Sequence, residues 1–95
     1  MEVRVGYVNV FVKDFERAVA FYRDTLGLPL HFADADHGYA SFGTRGAAFS
    51  LAREGADAQA GRFTGVGLVV EDIDAVYAAW RAEGVNFTMA PTRQP

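Results

Sequence analysis

"GYVNVFVKDFERAVAFYRDTLG", running from Gly6 to Gly27, decides the reading of this chain. Its first half alternates. Gly6, Val8, Val10 and Val12 fall on one side, and Val5, Tyr7, Asn9 and Phe11 on the other, the period of two that marks a strand. Both sides are largely apolar, so the strand predicted over Val5 to Val12 is covered on both faces. Asp14 follows as a good N-cap, with Glu16 adding favourable charge to a first helical turn. Phe15, Ala18, Val19, Tyr22 and Leu26 then recur at helical spacing, and Gly27 supplies a left-handed stop. A strand feeds a helix.

The same statement returns as "GVGLVVEDIDAVYAAWRAEG", Gly65 to Gly84. Laying Asp14 on Asp72 puts Val8 on Val66, Val12 on Val70, Tyr22 on Trp80 and Arg23 on Arg81. Dropping one residue then brings Gly27 onto Gly84 and Leu30 onto Phe87, so the chain is an internal repeat. Between the copies, Leu30 to Ala33, Tyr39 to Phe42 and Ala47 to Arg53 read as strands, joined by the turn-forming "DADHG" and "GTRG". Residues 54–62 are small, polar and Gly-rich, which marks a linker. Beyond them the pattern predicts a strand over Phe63 to Val70, a capped helix over Asp72 to Glu83 and a last strand from Val85. The first unit reads β-α-β-β-β and the second only β-α-β. The expected class is α+β: paired βαβββ modules forming a cup-shaped mixed sheet with helices outside, the second incomplete. Module one covers 1–53, the linker 54–62 and the partial second module 63–95. A full second copy would need roughly 20–30 further residues, about two strands and a loop.

Composition narrows the function. With 95 residues this is one domain, and a chain of that size buries only about 60–65% of its unfolded surface, so a partner subunit would help. A net charge of −3 and the lack of Lys/Arg clusters argue against nucleic acid. No stretch approaches the roughly 20 apolar residues of a membrane span, and the first residues lack the pattern of a signal peptide. The absence of cysteine excludes thiol catalysis and thiolate metal sites, and suits a reducing cytoplasm.

The residues Val12 and Asp14 ("V-x-D"), Ala18, Phe21 and Tyr22 ("A-x-x-FY") and Leu26-Gly27 ("LG"), with Val70, Asp72 and Gly84 as their second-copy counterparts, resemble the vicinal oxygen chelate superfamily. That group comprises glyoxalases, bleomycin-resistance proteins and extradiol dioxygenases. The resemblance covers nearly the whole chain, but its motifs are a cap, a core face and a helix stop, which speak to fold more than to function. It implies a cup whose metal-using members place one carboxylate or imidazole on each of four strands. Those positions fall here on Tyr7, Ser50 and Gly65, with any fourth beyond Pro95. A phenol and a hydroxyl are poor ligands for divalent metals and glycine has no donor. The expectation is therefore no metal and no cofactor.

What the resemblance leaves is a pocket for a small organic ligand. Tyr7, Asn9 and Phe11 would form one wall, and Ala48, Ser50 and Ala52 with Gly65, Gly67 and Val69 a roomier one. His31, aligned with Thr88, would share that cavity face. Each residue has a plainer reading: Tyr7 and Phe11 as core aromatics, Gly65 and Gly67 as a strand bend, Trp80 as core. Asn9 is harder to place in a core, because a buried amide is costly without a partner. "HFADADH" (His31 to His37) offers donors but matches no metal-ligand spacing, and is turn chemistry. The expected function is metal-independent binding of a drug or metabolite, in the style of the bleomycin-resistance proteins and as a homodimer. The alternative is a metal-dependent glyoxalase-like lyase, isomerase or dioxygenase.

Overall fold

The computed structural model describes residues 1–93, in two compact units, Met1–Thr64 and Gly65–Pro95. In the first unit, β1 (Tyr7–Val12) leads into α1 (Phe15–Ala20) and a π-helical turn (Phe21–Thr25). Three strands follow: β2 (Leu30–Asp34), β3 (Tyr39–Phe42) and β4 (Ala48–Arg53). They form one mixed sheet in the order β1-β4-β3-β2, with β1 parallel to β4 and the other pairs antiparallel. This is a complete βαβββ module, as the periodicity predicts.

Alternation then sorts the side chains. Val10 and Val12 of β1, Phe49 and Leu51 of β4, Ala40 and Phe42 of β3 and Leu30 of β2 pack with Phe15 and Val19 of α1. Tyr22 closes the cluster, its ring 4.9 Å from that of Phe49 and 6.2 Å from that of Phe42. The opposite, far face carries Tyr7, Asn9, Phe11, Ala48, Ser50, Ala52, Tyr39 and Ser41.

The helix begins as its cap requires, with Asp14 Oδ1 accepting from the Arg17 amide at 3.2 Å. It does not end as the spacing predicts. The α-helix stops at Ala20 and widens into the π-helical turn, where the Leu26 amide donates to the Phe21 carbonyl at 3.0 Å and the Leu28 amide to the Tyr22 carbonyl at 2.9 Å. The repeat explains why. The span from Asp14 to Gly27 is one residue longer than that from Asp72 to Gly84, and a π-turn is how a helix absorbs one inserted residue.

The second unit's helix, α2 (Ile73–Ala82), lacks that residue and closes regularly. Asp72 Oδ1 accepts from the Ala75 amide, and the Gly84 and Val85 amides donate to the carbonyls of Arg81 and Trp80. That is a Schellman motif around a glycine at φ +90°. Trp80, expected in a core, is half-buried.

Two strand assignments need correction. Among the described residues neither 63–70 nor the segment from Val85 joins a ladder, although the apolar alternation is present. Alternation marks the face to be buried, but only hydrogen-bonded pairing makes a strand. Gly65, at φ +71°, also breaks the pleat. Smaller differences lie at boundaries. β1 starts at Tyr7 and not Val5, β4 at Ala48 and not Ala47, and β2 runs to Asp34 with a bulge at His31.

Candidate ligand-binding site

The far face of the first unit is ordered in rows by the strand register. Asn9 of β1 pairs with Ser50 of β4, which pairs with Ser41 of β3, which pairs with Phe32 of β2. The next row runs Phe11, Ala52, Tyr39, Asp34, and the row on the other side joins Tyr7 to Ala48. The inner strand β4 therefore presents only Ala48, Ser50 and Ala52, while its neighbours carry rings. The result is a low floor between aromatic flanks.

Tyr39 uses that space. Its hydroxyl donates to Asn9 Oδ1 at 3.3 Å, so the side chain crosses β4 from β3 to β1. The ring stands 5.9 Å from that of Phe32. Ser50 lies in the strand beneath this crossing. It is 0% exposed, and its Oγ has no protein hydrogen-bond partner. A buried hydroxyl left unpaired costs about 1–3 kcal/mol, so such a group calls for an explanation.

Along β1 the same face opens into a groove of about 480 Å³, within the range of small-molecule sites. Asn9 and Phe11 of this face, with Val8 from the other side of the edge strand β1, form its sheet side, and Asp57, Gln59, Arg62 and Phe63 are among the residues that close it. The segment is held there by the Glu54 amide donating to the Val12 carbonyl at 2.8 Å and the Ala60 amide to Glu54 Oε1 at 3.2 Å. Arg62 donates to Gln59 Oε1 at 2.6 Å, and Phe63 is 99% exposed.

Four of the seven sequence-predicted site residues, Tyr7, Asn9, Phe11 and Ser50, thus share one face. His31 sits at the β2 bulge, its imidazole occupying the space a Cβ on Gly43 would fill, and it does not line the groove. Gly65 and Gly67 belong to the second unit. Sequence reasoning missed Tyr39 and Ser41, whose alternation within β3 could have placed them, and the groove wall from Asp57 to Phe63, read as linker through Arg62 and as the start of a strand at Phe63.

The metal positions implied by the resemblance do not fit a metal. Tyr7 pairs with Ala48 and Ser50 with Asn9, so the phenol and the hydroxyl are not even opposite each other. Among the described residues no three His, Cys, Asp or Glu side chains come together to hold an ion.

Fold and site together define a βαβββ module with an uncharged polar row on an aromatic-flanked sheet face. The superfamily's sequence model, described as Glyoxalase/Bleomycin resistance protein/Dioxygenase superfamily, matches residues 4–95, and the chain belongs to that superfamily. Solved structures agree. A superfamily member from Sphaerobacter thermophilus DSM 20745 is 27% identical, with TM-score 0.85 over 100% of this chain and 82% of that one. A glyoxalase/bleomycin resistance protein/dioxygenase from Nocardioides is 25% identical, with TM-score 0.76 over 100% and 71%. TnmS3, an antibiotic binding protein from Streptomyces sp. CB03234, is 29% identical, with TM-score 0.72 over 90% and 74%. Comparison with curated proteins finds no match.

Proposed function

We propose that this protein binds a small organic molecule without a metal, in the groove and polar row on the far face of its first unit. One observation carries the reading: Tyr7, Phe11, Phe32 and Tyr39 flank a floor of Ala48, Ser50 and Ala52, a shape that suits a flat aromatic ligand. The likeness to an antibiotic-binding protein supports sequestration of a drug or metabolite over chemistry. We place this activity in the cytoplasm and in a homodimer, with 1–53 as the first module, 54–62 as linker and groove wall, and 63–95 as a partial second module. Among the described residues no helix is long and apolar enough to cross a membrane.

The test is calorimetric titration with a panel of flat aromatic antibiotics and metabolites, with and without a chelator. Saturable one-to-one binding, unchanged by chelator and weakened at least tenfold by Phe11→Ala, is expected. Binding that vanishes with chelator, or that ignores Phe11, would overturn the proposal.

A further inference from the structure

We infer that the site selects ligands bearing an uncharged carbonyl-type acceptor, held by Ser50, Asn9 and Tyr39. This rests on the binding reading above and names its ligand class. The three polar groups converge from three adjacent strands. Asn9 and Ser50 are register partners, and the Tyr39 phenol reaches Asn9 by crossing β4. All three can donate and none carries charge.

Their present bonding is incomplete. The Tyr39–Asn9 contact, at 3.3 Å, is long for an O–H···O bond, whose usual distance is about 2.7–2.8 Å. It occupies the Asn9 carbonyl oxygen and leaves the amide NH2 for another acceptor. Ser50 Oγ, sealed from solvent beneath the phenol, has no protein partner. A carbonyl oxygen seated beside Asn9 accepts from its NH2 with one lone pair and from Tyr39 or Ser50, as the phenol swings aside, with the other.

The surroundings decide between neutral and charged acceptors. Arg and Lys are absent from the rows around Ser50, and the one acidic residue there, Asp34, is engaged with the His37 backbone and ring. A carboxylate placed over Ser50 has no cation in its own rows, and the Arg62 guanidinium at the groove wall already donates to Gln59 Oε1 at 2.6 Å, so the anion loses water without a counter-ion beside it, which is unfavourable. A ketone, lactone or amide oxygen loses far less and is met by donors. Aromatic flanks then hold the ring system that carries it.

Three flat two-ring probes separate the possibilities in ligand-detected NMR titrations of the full chain: chromone, which carries a ring carbonyl; naphthalene, which carries none; and 1-naphthoate, which carries a carboxylate. Chromone is expected to bind about tenfold more tightly than naphthalene and more tightly than 1-naphthoate, one to two donated hydrogen bonds being worth roughly that ratio. Ser50→Ala and Asn9→Asp should each bring the chromone-to-naphthalene affinity ratio most of the way to one. The second variant keeps the shape of the side chain but deletes its donors. Equal binding of chromone and naphthalene, a preference that survives both substitutions, or tightest binding of 1-naphthoate would overturn the inference while leaving the sheet-face site standing. If none of the three binds, the site reading falls with it.

Discussion

The hydroxyl of Tyr39 lies 3.3 Å from Oδ1 of Asn9, although the two residues sit on strands separated by a third. Only an inner strand of small residues permits this. A Leu or Phe at Ser50 or Ala52 would fill the space through which the phenol passes. Tyr39→Phe should therefore remove the bridge but keep the fold. The bond is long and neither partner is buried, so the loss should be about 0.5 kcal/mol, a fall in Tm of about 2–4 °C. A loss several times larger in thermal melts would mean the phenol is a core element and not a crossing strap.

Ser50→Ala should go the other way. It deletes a hydroxyl that has no protein partner, so the free protein should be unchanged or more stable by up to about 1 kcal/mol. Urea denaturation reads this directly. A destabilisation above about 1 kcal/mol would show that the hydroxyl makes a bond in solution.

Gly27 and Gly84 close the two helices at φ +79° and +90°, and a Cβ at either would meet open space. Substitution by Ala there is resisted by backbone conformation alone. Each variant should lose about 1–2 kcal/mol, the left-handed penalty for a residue with a Cβ, measured by chemical denaturation. Equal losses at both sites would show that the π-helical turn leaves the closing geometry intact.

The β2–β3 connection depends on pH through Asp34. The His37 backbone amide, at 3.2 Å, and then its ring, at 2.7 Å, hold the Asp34 carboxyl below its usual range. A depressed carboxylate contributes stability above its unfolded pKa and loses it as pH falls through the folded value. The group is exposed, so the effect is local. The His37 amide resonance should show the Asp34 titration, with a midpoint below the ordinary value near 3.9. A midpoint at or above that value would contradict the pairing.

Much of this architecture was legible in the sequence because it lies in local signals. Asp14 and Asp72 announce their helices, Gly27 and Gly84 end them, and the valines of β1 can face only one way once Phe15 and Val19 need covering. The π-helical turn was visible as a one-residue offset between copies, yet a period of 3.6 cannot say how a helix spends an extra residue. The ladders expected for 63–70 and from Val85 failed because alternation carries no information about a partner. The site was half legible for the same reason. Tyr7, Asn9, Phe11 and Ser50 follow from alternation, which also sets Tyr39 and Ser41 on one side of β3, but that Tyr39 reaches Asn9 is fixed only by cross-strand register, and the groove wall from Asp57 to Phe63 only by tertiary folding.

The parallel pairing of β1 with β4 also sets an order of events. β2, β3 and β4 are joined by short turns and can zip together locally, but Tyr7 meets Ala48 only after the helix and both hairpins have been laid down between them. Closing that distance costs more chain entropy than forming either hairpin, so β1 is expected to dock last. Asn9 and Phe11 travel with it. Pulse-labelled amide exchange during refolding should protect Ala40 and Leu51 before Val10, and the reverse order would refute the scheme. The pocket is then assembled in the final step of folding, and a nascent or partly unfolded chain holds no ligand even when its β2–β3–β4 meander is already in place.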